Sequence, residues 1–151
     1  RNTWQCVGRE SNLLNIGDYL TCLIGDQPML VIRTSDGKLQ SMHNVCPHRS
    51  ARLLEGQGNC NLIRCPYHSW TYNLEGQLQS ITQSKLFPGL DKSTVCLLKA
   101  RVDTACGFVF VHPEPEGESL NSYLAGFPDY LQQYDQPWEK LVEVASWSYY
   151  E

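Results

Sequence analysis

Apolar and polar positions alternate along this chain in short steps. The runs Tyr19–Ile24, Met29–Arg33, Leu39–His43, Leu97–Asp103 and Phe108–Val111 are rich in β-branched, aromatic and aliphatic residues. None is long enough to describe two turns of an amphipathic helix, and each reads as a strand. Turn residues divide them: Gly25-Asp26-Gln27-Pro28, Ser35-Asp36-Gly37-Lys38 and Leu74-Glu75-Gly76-Gln77. Asp36-Gly37 between two apolar runs is a strong hairpin signal, and Glu75-Gly76 a weaker one. Strands this short, turned at close intervals, predict an all-β fold, a small antiparallel sandwich or barrel.

Two stretches depart from that rhythm. From Asn44 to Tyr72 the chain is polar and glycine-punctuated, notably at Glu55-Gly56-Gln57-Gly58-Asn59, and it reads as a small subdomain, about residues 44–80, inserted into the β framework. After Pro115 the composition shifts again. Ser119 can cap a short helix running to Tyr123–Ala125, and Pro128–Tyr134 predicts a second. Leu141–Tyr149 reads as a last strand that reaches Glu151 without a closing turn, as if the chain were cut in mid-passage.

Composition narrows the class. A chain of 151 residues with 42% hydrophobic and 19% charged residues is long enough for one domain with a real core, and is not a disordered composition. The longest apolar runs, such as Gly107–Val111, are too short to cross a bilayer, and no charged-then-apolar leader opens the sequence at Arg1. A net charge of −4 with no basic stripe argues against nucleic-acid binding. The seven cysteines are an odd number in a chain too large to need disulfide staples. Cys6, Cys22, Cys60, Cys96 and Cys106 stand singly and read as core or surface thiols in a reducing, cytoplasmic compartment. His43 and His112 have no partner at metal-ligand spacing and read as surface or hydrogen-bonded core residues.

Cys46 and Cys65 differ, because each has a His close behind it. Cys46-Pro47-His48 is followed, after sixteen residues, by Cys65-Pro66-Tyr67-His68. Thiolates and imidazoles in two tight pairs are metal-ligand chemistry. A structural zinc site is one reading, but zinc modules usually pair Cys with Cys and His with His, whereas both pairs here are mixed. A dinuclear cluster explains the mixing: in a Rieske centre one iron carries two thiolates and the other two imidazoles, so two facing loops can each give a Cys inward and a His outward. Pro after each Cys restricts the loop and removes one backbone N–H.

The segment Asn44-Val45-Cys46-Pro47-His48-Arg49-Ser50-Ala51, with Cys65-Pro66-Tyr67-His68-Ser69-Trp70-Thr71-Tyr72, resembles the Rieske domain at the N-terminus of ring-hydroxylating (Rieske non-haem iron) oxygenase α-subunits. Trp4–Gly8, Gly17-Asp18-Tyr19 and Gly107-Phe108-Val109-Phe110 are similar to that family's framework, so the likeness spans nearly the whole chain. Ser50 and Ser69 depart from it, standing where the family usually has Gly. If those positions need positive φ, each Ser carries mild strain.

The resemblance implies a 2Fe–2S cluster on Cys46, His48, Cys65 and His68, and one-electron transfer with His68 as the exit toward a neighbouring subunit. It implies a ferredoxin or flavin reductase as electron donor, and a homotrimer of the full-length α-subunit. It also implies a mononuclear non-haem Fe(II) in a further catalytic domain, into which residues 141–151 lead. Only His112 follows His68, so this chain carries no facial triad of its own. The parent protein would then be a mono- or dioxygenase acting on an organic substrate. A self-standing Rieske ferredoxin is the competing reading, although the tail after Pro115 would be surplus to it. Rieske proteins of cytochrome bc-type complexes tie their loops with a disulfide and give the cluster a Ser hydroxyl. Here Ala51, Tyr67 and Trp70 occupy the equivalent positions, which predicts a potential near the low end of the Rieske range, roughly −150 mV. Trp70 reads as an aromatic wall at a subunit contact or as plain packing. Arg49 is a loop brace, a donor contact or a surface residue, and Tyr72, Tyr149 and Tyr150 are core or interface aromatics.

Overall fold

Met29-Leu30-Val31-Ile32 shows no apolar–polar alternation, and in the computed structural model, which describes residues 3–141, both faces of this strand are buried. The strands are β1 (Gln5–Arg9), β2 (Asp18–Ile24), β3 (Gln27–Arg33), β4 (Leu39–His43), β5 (Gln57–Asn59), β6 (Ile63–Arg64), β7 (Thr71–Tyr72), β8 (Leu78–Ser80), β9 (Lys99–Ala105) and β10 (Phe108–His112). A large antiparallel sheet runs in the order β1-β10-β9-β4-β3-β2-β5, and a small one in the order β6-β7-β8. Met29 and Val31 point into one core with Leu13, Leu20, Val109 and Val111. Leu30 and Ile32 point the other way, into a second core shared with the small sheet: Ile63, Tyr72, Leu78, Leu97 and both Cys46 and Cys65. Each fully buried aliphatic side chain contributes about 1.5–3 kcal/mol, so β3 anchors both halves.

The β2–β3 turn is tighter than expected. Gln27 and Pro28 already belong to β3, leaving Gly25-Asp26 as the two-residue loop. Asp36-Gly37 turns β3 into β4, with Gly37 at φ +80°. Gly76 makes the corresponding turn between β7 and β8 at φ +84°, and a Cβ there would lie 2.9 Å from the Met42 sulfur. Only Gly lets this hairpin close against β4. The expected strand Leu97–Asp103 is displaced to Lys99–Ala105. Leu97 instead donates its N–H to the Gly76 carbonyl (2.9 Å) and buries its side chain beneath the small sheet.

Both expected helices are present. α1 (Leu120–Leu124) starts at Ser119, whose hydroxyl accepts from the Ser122 N–H, and α2 (Phe127–Gln132) follows directly. Trp138–Lys140 forms a single 3-10 turn that returns to β1, where the Arg9 guanidinium donates to the Trp138 carbonyl. The expected last strand, Leu141–Tyr149, falls outside the described residues beyond Leu141. No helix among the described residues is long and apolar enough to cross a membrane.

Candidate metal centre

The two Cys/His segments fold into near-identical hairpin loops. In the first, the Cys46 N–H donates to the Ala51 carbonyl (2.8 Å) and the Ser50 N–H to the Cys46 carbonyl (2.9 Å). In the second, Cys65 donates to Trp70 (2.8 Å) and Ser69 to Cys65 (3.0 Å). The loops therefore correspond residue for residue: Cys46 with Cys65, Ser50 with Ser69, Ala51 with Trp70. Each is closed by a backbone pairing just outside it, Val45 with Arg52 and Arg64 with Thr71. Ser50 and Ser69 have φ of 55° and 57°, so the left-handed conformation is present at both positions where Ser replaces Gly.

Placement of the four side chains follows from these frames. Cys46 and Cys65 are buried, at 0% and 2% exposure, at the floor of the second core. The imidazoles of His48 and His68 lie above them, partly exposed, with ring centroids 4.7 Å apart and planes at 64°. Nδ1 of both rings is buried without a hydrogen-bond partner. Two orphaned imidazole nitrogens side by side carry a desolvation cost unless a further group takes their lone pairs. Burial, and then the neighbouring charges of His68 and Arg49, hold His48 below its ordinary value, which favours the neutral ring that a metal ligand must be. Burial pushes the Cys46 thiol up, with the Tyr72 hydroxyl opposing. The donor set fits a dinuclear iron–sulfur group: two soft thiols inside, two imidazoles outside.

Three residues beyond the expected four shape the site. Tyr72 was expected only as a core or interface aromatic. It is fully buried, and its hydroxyl lies 3.1 Å from the Cys46 sulfur. Asn44, 1% exposed, clamps the base of the first loop: Nδ2 donates to the Leu54 carbonyl (2.7 Å), and Oδ1 accepts from the Leu53 and Leu54 N–H groups. Phe87 packs edge-on against His48 at 5.5 Å. The alternation of Trp70 and Tyr72 was the available signal for the second of these aromatics, since residues two apart on an extended segment share a face. Phe87 comes from a distant turn and left no local signal.

The other expected residues fall as follows. Trp70 is a packing residue, 5% exposed, stacked on His48. Arg49 is exposed on the rim of an open cavity of about 410 Å³ over the imidazoles, walled by Tyr67, Ser69, Gln83 and Leu86. His112 is a buried core residue whose Nδ1 accepts from the Glu114 N–H (3.1 Å). His43 ends β4, half-buried. All seven cysteines are free thiols.

Two facing Cys/His loops on a small three-stranded sheet, built over a larger antiparallel one, define the iron–sulfur class in which thiol and imidazole ligands are mixed. The chain belongs to the Rieske 2Fe–2S domain family, whose pattern matches residues 3–93. It is 35% identical over 125 residues to the carnitine monooxygenase oxygenase subunit of Escherichia coli (strain K12), covering 82% of this chain and 33% of that protein. It is 34% identical over 131 residues to the chlorobenzene dioxygenase subunit alpha of Cupriavidus sp. (strain PS12), covering 85% of this chain and 29% of that one. Among solved structures, a quaternary ammonium Rieske monooxygenase in complex with its substrate L-carnitine superposes with a TM-score of 0.81 at 34% identity, over 87% of this chain and 38% of that one. The chain thus spans about a third of the length of the curated relatives it matches.

Proposed function

We propose that Cys46 and Cys65 ligate the inner iron, and His48 and His68 the outer iron, of a 2Fe–2S cluster that relays single electrons within a Rieske oxygenase. When bound, the cluster supplies one-electron reduction and oxidation. The observation that carries the reading is the pair of buried, unpartnered Nδ1 atoms on two imidazoles 4.7 Å apart, above two buried thiols. A zinc site would bring at least three of these side chains round one ion, and no group of three His, Cys, Asp or Glu does so among the described residues.

The larger protein is read as the terminal component of a mono- or dioxygenase that oxidises an organic substrate with O₂. A mononuclear Fe(II) then lies in the part of the protein beyond this chain. The length of the relatives supports this over a self-standing ferredoxin. A ferredoxin or flavin reductase delivers the electrons, and a neighbouring α-subunit in a homotrimer receives them through His68, whose ring sits at the solvent side beside the exposed Tyr67. Cys6, Cys22, Cys60, Cys96 and Cys106, unpaired thiols outside the proposed centre, support a reducing, cytoplasmic setting.

Anaerobically purified protein tests the centre directly. The expected result is equal iron and acid-labile sulfide, a red-brown colour, and a paramagnetic signal after reduction that Cys46→Ser and His48→Ala abolish. Zinc without sulfide would overturn it. For the larger reading, O₂-dependent product formation by the full-length protein with a reductase is expected, and His68→Ala abolishes it.

A further inference from the structure

Although the two loops share one backbone frame, their histidines do not occupy equivalent places. His48 is the second residue after Cys46, whereas His68 is the third after Cys65, so Tyr67 is the true counterpart of His48. The two rings are supported differently as a result. His48 lies parallel to the Trp70 indole, with planes within 1° and centroids 4.7 Å apart. Phe87 stands edge-on to both rings, 5.5 Å from His48 and 5.4 Å from Trp70. Trp70 is buried, and what it offers His48 is its ring face. His68 has no such bracket: Ala51 stands at the position equivalent to Trp70, and its ring neighbour Tyr67 is 61% exposed and tilted by 31°.

We infer that Trp70 and Phe87 are positioning residues for one ligand only, clamping the plane of the His48 imidazole while leaving that of His68 free to answer to a partner. The support crosses between loops: the second loop's Trp holds the first loop's His. A ligand ring locked by packing keeps its orientation through reduction, and one held by an exposed side chain does not. This inference rests on the proposed ligation by His48 and His68.

Pulsed paramagnetic resonance of the reduced, cluster-loaded protein reads the coupling of each imidazole nitrogen separately. Trp70→Leu is expected to shift one nitrogen coupling and leave the second at its wild-type value, while Trp70→Phe, which keeps a ring face, leaves both unchanged. Phe87→Ala, outside both loops, is expected to give the same one-sided shift, and it carries the test if Trp70→Leu fails to take up the cluster. Couplings unchanged in Phe87→Ala and Trp70→Leu would overturn the inference, as would equal shifts of both nitrogens or a Trp70→Phe signal matching that of Trp70→Leu. A wild-type protein with no such signal would defeat the cluster reading instead.

Discussion

The hydroxyl of Tyr72 meets the sulfur of Cys46 at 3.1 Å, and this contact joins the two cluster loops through the core. Burial, then the bond to Cys46 and the nearby thiols, holds the phenol protonated far above its ordinary range. It is therefore a permanent donor toward a thiolate, and such a bond favours the more negative, reduced state of the centre. Tyr72→Phe removes the hydroxyl and keeps the ring. A difference of about 1.4 kcal/mol between redox states is tenfold, or about 59 mV for one electron. The expected result is a midpoint lowered by a few tens of millivolts with unchanged cluster content, read by redox titration.

The unmodified protein is expected to titrate near the low end of the Rieske range, roughly −150 mV. Ala51 and Tyr67 leave no disulfide between the loops, and Trp70, with its indole stacked on His48, supplies no hydroxyl. Tyr72 is the one side-chain hydroxyl found on the Cys46 or Cys65 sulfur among the described residues. A strongly positive midpoint would contradict this and would require further donors to the cluster.

How much of this was readable in advance depends on distance along the chain. Cys46, His48, Cys65 and His68 stood out as candidates because residue types that ligate metals are few in kind and the spacing is local. Strand β3 was clear because a continuous apolar run bounded by turns has few alternatives. Strands β6 and β7 span two residues each and carry no period, so the small sheet was seen only as an irregular insert. Cys6 and Gly8 flank a bulge that hid β1. The Trp70–His48 stack and the Phe87 contact join residues brought together only by tertiary structure, and no window of sequence contains them.

Acid should loosen the β3–β4 hairpin. Asp36 accepts from the Thr34 hydroxyl (2.7 Å) and the Lys38 N–H (3.1 Å), and these bonds, that of Thr34 foremost, lower its carboxyl to about 2. A carboxyl depressed in the folded state contributes stability above its unfolded value, near 4, and loses it as pH falls through the folded value. Asp36→Asn should lower stability near neutrality, where the carboxylate's contribution is fully present, and flatten the curve between about pH 4 and pH 2, so that its difference from wild type shrinks as pH falls. Thermal melts across that range check it, and a curve identical to wild type would remove Asp36 from the account.

Replacing Ser50 and Ser69 by Gly should stabilise the protein, which is unusual for a change to Gly. Both residues hold φ near +55°, at 55° and 57°, and the left-handed region costs a residue bearing Cβ about 1–2 kcal/mol. Gly removes that strain but adds about 0.4–1 kcal/mol of unfolded-chain entropy, leaving a net gain of about 0.5–1 kcal/mol per site. For a domain of this size each change should raise the melting temperature by about 1–4 °C. The loop bonds from Ser50 to Cys46 and from Ser69 to Cys65 are backbone bonds, so both variants should keep the cluster. Ser50→Val, which adds a branched Cβ to the same conformation, should move the melt in the opposite direction. A Ser50→Gly protein less stable than wild type would show that the hydroxyl, not the backbone angle, explains why Ser stands there.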